Sequence, residues 1–417
     1  MRATILSLLL SLCLAAQDRN ARWLADADTL YQSIVALHPN PYTTTSRADF
    51  DAAYQKVRDS IPASTDAQVL LQLSRLAALA NDGHTSLDFT QSSILRRYPV
   101  AFRWFSDGLY LTTAPTAQAS FIGRRVTRLG SRSFDEAAAT IRPWISYDTE
   151  PWFRYKAQAA FQYHELLAAA GLVEPDAPLT LELATADGQT ESIEIPLASA
   201  QTIEGPQPAR PRNPLYRRNP NSNYWFAWLE DSRTVYFQYN RCAESPLLPL
   251  NNFVRELIDF GKHNPVERLV FDVRENTGGN SKYFHDLMTA LGAAYLSGEV
   301  PLPSAGAFGI IGKKTFSSGS LAAAEMRLSG ITLVGETAGG RVSYFGEVKS
   351  VSLTNYRLTA SVSTRLIQVP GFDGPLVPDL EIDFPGTAYF ADEDPFLDKL
   401  VTLSRPLVPT AQRPAAR

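Results

Sequence analysis

Apolar positions along the first eighty residues recur at the spacing of a helix. Trp23, Leu24, Leu30, Ile34 and Val35 fall on one face, as do Phe50, Tyr54, Val57 and Ile61, and again Val69, Leu70, Leu73 and Leu76. Pro39-Asn40-Pro41 separates the first run from the second, and Ser64-Thr65-Asp66 supplies a cap for the third. Residues 17–97 therefore read as a helical region that closes near Asn81-Asp82-Gly83-His84-Thr85.

The period changes after that. Short apolar runs at 100–104, 109–113, 179–184 and 192–196 predict strands, around helical stretches at 135–141 and 155–170. These make a second region, 98–205. Residues 206–222 are rich in proline and read as a linker. From 223 to 405, strands at 235–239, 268–274, 306–311 and 331–334 alternate with helices at 251–262, 281–296 and 320–328. That order implies βαβ units and a largely parallel sheet. Alternation over 347–369 predicts an antiparallel hairpin, and 406–417 reads as a flexible tail.

Residues 1–16 have the layout of a secretory signal: Arg2, an apolar stretch at 5–14, and the small-x-small site Cys13-Leu14-Ala15. The apolar stretch is too short to span a bilayer. The expected location is periplasmic or extracellular, with a lipid tether at Cys13 as a variant disfavoured by Leu12. Without Cys13, Cys242 is the sole thiol and has no partner for a disulfide; no Cys/His spacing suggests zinc. With 39 basic and 43 acidic residues, a net charge of −4 argues against a general nucleic-acid binder.

Three segments could carry chemistry. After the strand at 306–311, Thr315-Phe316-Ser317-Ser318-Gly319 runs into an Ala-rich helix, placing hydroxyls where free N–H groups favour negative charge. The same serines would serve equally as a plain N-cap. Gly278-Gly279 after the strand at 268–274 lets backbone N–H groups approach a ligand, as an oxyanion hole requires, or makes an ordinary tight turn. His84 follows a glycine turn at the end of a helix. The other histidines, His38, His164, His263 and His285, sit in ordinary helix or loop contexts and read as structural.

In order and spacing these segments resemble the C-terminal processing (tail-specific) serine peptidases, and more closely the branch with the tricorn core and the retinoid-binding-protein repeats. The family's D-x-R-x-N-x-G-G-N block is matched by Asp272, Arg274, Asn276, Gly278, Gly279 and Asn280. Its nucleophile block is matched by Thr315, Phe316 and Ser317, followed by Val334 through Gly340; its [ND]-G-H-T is matched at 82–85. The resemblance implies a crotonase-like ββα-superhelix core with a parallel sheet, an N-terminal helical region and a PDZ-like middle domain. In that domain Ile122-Gly123, Val126 and Leu129-Gly130 are similar to the family's segment, with a foreign helical insert after residue 150.

The resemblance also assigns roles. Tail-specific members use a lysine base, but Arg341 stands at its position, and a guanidinium cannot act as a base. Lys349 lies further on, after Gly346-Glu347. The tricorn-like branch uses a histidine, matched by His84, and an orienting acid. Asp373, in a segment resembling E-x-x-G-V-x-P-D but offset by one, and Glu347 are the two candidates, while Asp379 reads as a capping or structural group. Gly278, Gly279 and Ser318 would line the oxyanion hole around Ser317. The implied activity is an exported serine endopeptidase acting on peptides or proteins, without metal or cofactor and without nucleic acid. Rival readings are a non-catalytic binding protein of this fold, holding an apolar ligand or peptide, and an esterase-type acyl hydrolase.

Overall fold

The computed structural model describes residues 2–90, 92–185, 188–197, 203–205 and 213–403, with side chains from residue 16 onward except 203 and 204. Three helices open the chain, Arg2–Leu37, Arg47–Ser60 and Asp66–Ala78. The second and third start at expected caps: Ser46 accepts from Asp49 N, and Thr65 with Gln68 closes a reciprocal capping box. Their apolar stripes meet at Trp23, Leu30, Ile34, Phe50, Val69 and Leu73, all fully buried. The side chains of nearly all the expected signal, the proline-rich 206–212 and the tail from 404 lie outside the described residues. Among the described residues, no helix is long and apolar enough to cross a membrane.

In the second region, Ala101–Phe105 and Gly108–Pro115 form a hairpin joined by Ile203–Glu204. A four-stranded antiparallel sheet runs in the order Arg132–Ser133, Val126–Leu129, Leu179–Ala184, Thr190–Ile195. The single helix expected at 155–170 is two, Glu150–Ala160 and His164–Ala169. The break comes where Tyr163 turns extended and His164 N bonds to Arg96 O at 3.0 Å. A contact with a distant segment, where Arg97 bridges Tyr163, outcompetes local helical continuation.

The last region is built on a six-stranded sheet in the order Leu380–Glu381, Thr332–Gly335, Gly306–Ile311, Arg268–Asp272, Thr234–Tyr239, Tyr224–Leu229. All neighbours are parallel except the final aromatic strand, which pairs antiparallel at the edge and was not marked by the alternation pattern. Every residue of Arg268–Asp272 is buried, as expected for a strand covered on both faces. Helices Leu250–His263, Lys282–Leu296 and Ser318–Leu328 pack on one face; Leu215, Tyr216, Phe384, Phe396 and Leu400 cover the other.

One element crosses these boundaries. The hairpin Tyr344–Leu353 and Leu358–Ile367 shares its core with the N-terminal helices and the middle region, through Val351, Leu353, Leu358, Ala360 and Val362. Its turn docks on the first helix, where Asp26 accepts from Asn355 Nδ2 (2.8 Å) and Tyr356 N (3.1 Å) and Trp23 stacks on Tyr356 at 3.6 Å. Ser86–Leu87 adds to the hairpin as a third strand, Ser86 opposite Ser361. The residues just before it are thereby carried to the C-terminal region.

Candidate active site

Ser317 has φ 55° and ψ −128°, immediately ahead of the helix Ser318–Leu328. A non-glycine residue held there costs about 1–3 kcal/mol and persists only where its surroundings impose it. They do so through Phe316. Its N–H bonds to Asn276 O (3.0 Å), and its ring is stacked between Trp152 (3.7 Å, 2°) and His84 (4.3 Å, 30°). The Ser317 side chain makes no capping hydrogen bond to the helix. The plain N-cap role is therefore unfilled.

Opposite it lies the glycine turn. Asn276 pins this loop, donating from Nδ2 to Tyr239 O (2.9 Å) and accepting Gly278 N at Oδ1 (2.8 Å). This corrects the expected oxyanion set, because the Gly278 N–H is already engaged. Gly278 matters for what it lacks. At φ 111°, a Cβ there would stand 2.7 Å from the Ser317 Cβ and 3.1 Å from Ser318 N. Gly279, at φ 131°, has no room either: its Cβ would meet Cys242 O at 2.2 Å. Among the described residues no acceptor takes the N–H of Gly279 or of Ser318. Ser318 Oγ donates to Gly279 O at 2.6 Å and holds the two loops together.

The Asp272 and Arg274 of the same motif are structural. Arg274 is 4% exposed and bonds to Asp272 and, through both terminal nitrogens, to Asp394 at 2.8 and 2.9 Å. Tyr236 donates to Asp272 at 2.6 Å, and Asp394 in turn caps the helix Pro395–Thr402. Burial pushes the Asp272 carboxyl up, against the pull of the Arg274 charge.

His84 reaches this site because Asp82 organises the turn around it. The Asp82 carboxylate accepts from His84 N (3.0 Å), Thr85 N (3.0 Å), Thr85 Oγ1 (2.7 Å) and Ser363 Oγ (2.5 Å). His38 Nε2 stands 3.3 Å away; since Asn40 N donates to His38 Nδ1, the Nε2 proton faces Asp82. His84 Nδ1 is 3.7 Å from Asp82 Oδ1. Burial alone would raise the Asp82 carboxyl, but its contacts with His38, His84 and Ser363 outweigh burial and hold it well below the usual carboxylate range. The His84 ring lies between Phe316 and Tyr344 (5.0 Å, 11°), and neither of its nitrogens has a hydrogen-bond partner among the described residues. The Tyr344 hydroxyl is in hydrogen-bonding reach of Ser317 and Ser318; burial raises its pKa despite them.

No protein-family profile and no curated protein matches the sequence. Among solved structures, mature CPAF complexed with lactacystin aligns over 93% of this chain and 98% of its own, at 12% identity and a TM-score of 0.62. The chain shares the fold of mature CPAF. A mutant of CPAF aligns over 94% of this chain and 99% of its own, at 13% identity and TM-score 0.63. The photosystem II D1 C-terminal processing protease aligns over 93% and 98%, at 13% identity and TM-score 0.40. The expected mixed α/β architecture with a parallel sheet is thus met by the CPAF fold.

Within this CPAF fold the two expected orienting acids lie elsewhere. Glu347 is exposed and paired with Arg365 at 2.6 Å, its backbone at φ 52° on the hairpin strand. Asp373 is exposed and offers its backbone carbonyl to Arg341. Neither bonds to His84, and the carboxylate beside that ring is Asp82. Asp379 is a structural group as expected, accepting from Leu333 N (2.8 Å) and pairing with Arg327 (3.0 Å). His164, bonded to Tyr98 and Asp176 N, and the exposed pairs His263–Asp259 and His285–Glu325 stand apart from Ser317. His38, read as structural, is buried against Asp82. Asp82 was legible as a side chain two residues before His84, able to cap its own turn; His38 carried no local signal. Among the described residues no cluster of three or more His, Cys, Asp or Glu could hold a metal ion.

Proposed function

We propose that this chain is a serine peptidase, acting as an endopeptidase on peptide or protein substrates. Ser317 attacks the scissile carbonyl while His84 takes its proton and then returns it to the leaving amine. Asp82, locked as an anion, stabilises the imidazolium. The N–H groups of Ser318 and Gly279 receive the negative charge of the tetrahedral intermediate. Water then releases the acyl group by the same route. What carries this reading is the strained backbone of Ser317 at a helix N-terminus, with the unengaged N–H groups of Ser318 and Gly279 beside it. The motif resemblance and the CPAF fold support it.

The test is labelling by a fluorophosphonate probe. Wild-type protein should label and Ser317→Ala should not, with turnover falling by on the order of 10⁶. Labelling that persists in Ser317→Ala and vanishes in Ser318→Ala would move the nucleophile by one residue. A wild-type protein that neither labels nor cleaves would favour the binding-protein reading.

Export is part of the proposal, resting on Arg2, the apolar stretch and the small-x-small site. N-terminal sequencing of the cellular protein should find residues 1–16 removed; an intact Met1 would overturn it.

A further inference from the structure

We propose that Asp148, in the turn just ahead of the helical insert of the middle region, is a second positioning carboxyl for His84. The proposal rests on the peptidase reading above and assigns a role to the turn that leads into the helical insert.

Two contacts fix this segment at the site, one to the Gly339 loop and one to Phe316. Thr149 caps the helix Glu150–Ala160, accepting from Trp152 N at 3.2 Å, and its hydroxyl donates to Gly339 O. One turn on, the Trp152 ring lies flat on Phe316, so Trp152, Phe316, His84 and Tyr344 form one continuous stack. Asp148, the residue before the cap, points back to the turn that carries His84. Its Oδ1 is buried without a hydrogen-bond partner among the described residues. It stands 2.8 Å from where a Cβ on Gly83 would be, directly against the turn that carries His84.

A buried carboxyl oxygen left unpaired is costly and calls for an explanation. The charged groups around it supply one. Asp82 and His84 face it from the turn, Arg341 from the loop after the sheet, and Lys156 from its own helix, with His38 behind Asp82. Lys156 is itself spoken for by Ser146 O at 2.9 Å. Burial first, and then the Asp82 charge, push the Asp148 carboxyl up to about 6, against the pull of His84 and Arg341. Ionised Asp148 therefore becomes favourable as His84 takes up the proton from Ser317. Asp82 is a fixed anion; Asp148 is one that titrates.

The experiment is the pH dependence of fluorophosphonate labelling and of kcat, in wild-type protein and in Asp148→Asn. In wild type the acidic limb should follow two protons. In Asp148→Asn it should follow one, with kcat at the plateau lowered about tenfold, as for loss of one nearby charge, and KM little changed. Asp148→Glu should restore part of kcat. An Asp148→Asn limb identical to wild type in slope and midpoint would overturn the proposal. So would a one-proton limb in wild type, a measurement that needs no variant to fold. NMR titration of the His84 ring separates this proposal from the peptidase reading. Its midpoint should fall in Asp148→Asn even in a protein without turnover, and an unmoved midpoint overturns the role of Asp148 alone.

Discussion

Ser363 Oγ donates a 2.5 Å hydrogen bond to Asp82 Oδ2 across 281 positions of sequence. It ties the turn that holds His84 to the late hairpin, and Ser363 N adds a bond to Thr85 Oγ1 at 3.1 Å. A hydrogen bond to a charged group contributes about 1.5–3 kcal/mol. Ser363→Ala should lower stability by that amount in urea denaturation and reduce kcat more than it raises KM, because the carboxylate beside His84 loses an anchor. A loss of stability with unchanged kcat would mean that the anchor does not serve the site.

The three acids make a direct comparison. Asp82→Asn should lower kcat by about 10⁴, the scale seen when the acid behind a catalytic histidine is neutralised. Glu347→Gln and Asp373→Asn should leave it unchanged, since both side chains are exposed and away from His84. Lys349→Ala and Arg341→Lys should likewise keep most of the activity. Steady-state kinetics on the five variants decides it, and a large effect confined to Asp373 would reinstate that residue.

Gly278 and Gly279 should fail differently. Gly278→Ala drives a methyl against Ser317, so labelling should be lost in a protein that still folds. Gly279→Ala collides with the backbone carbonyl of Cys242, so the loss should be of stability. Circular dichroism melting alongside labelling rates distinguishes the two, and equal effects on both readouts would contradict the geometry.

Arg274 lies between two buried carboxylates, Asp272 and Asp394. Removing one partner from such a group leaves charge buried without compensation, at a cost of about 3–5 kcal/mol. Arg274→Ala should reach that range in chemical denaturation. A cost under about 1 kcal/mol, typical of exposed ion pairs, would show the cluster to be solvated.

Stability should depend on pH through two neighbouring carboxyls of opposite sign. Asp148 is raised from its ordinary 3.8 to about 6, so the folded protein binds its proton more tightly. That contribution is complete below about pH 4 and is lost as pH rises through 6, a change of roughly 3 kcal/mol. Asp82 is lowered, so its contribution is present above about pH 4 and lost as pH falls further. Asp148→Asn should flatten the decline between pH 4 and 6, measured as unfolding free energy against pH. An undiminished decline would place its origin elsewhere.

Most elements of the last region were readable in advance because their burial is simple. A strand covered on both faces is a continuous apolar run, and its helices show one stripe each, so Gly306–Ile311 and its neighbours fell within a residue or two of expectation. The edge strand Tyr224–Leu229 was not marked, since its six residues carry five large apolar side chains and no alternation. The break at 161–163 was also hidden, because the bond that makes it comes from Arg96, far away in sequence. The Ser317 segment and the glycine turn were legible as motifs, yet the engagement of the Gly278 N–H by Asn276 depends on the rotamer of one amide.

By itself, then, the sequence determined the helical opening, the βαβ order of the last region, and the neighbourhoods of Ser317, Gly278-Gly279 and His84. These follow from local periodicity and from glycines that few other conformations would require. Only the tertiary structure decided which acid stands by His84. Asp373 and Glu347 follow Ser317 in the chain, but a hairpin paired to Ser86–Leu87 and docked on Asp26 brings residue 84 to the site with its own carboxylate already in place. That choice turns on side-chain direction and on contacts hundreds of residues apart, and neither leaves a period in the sequence.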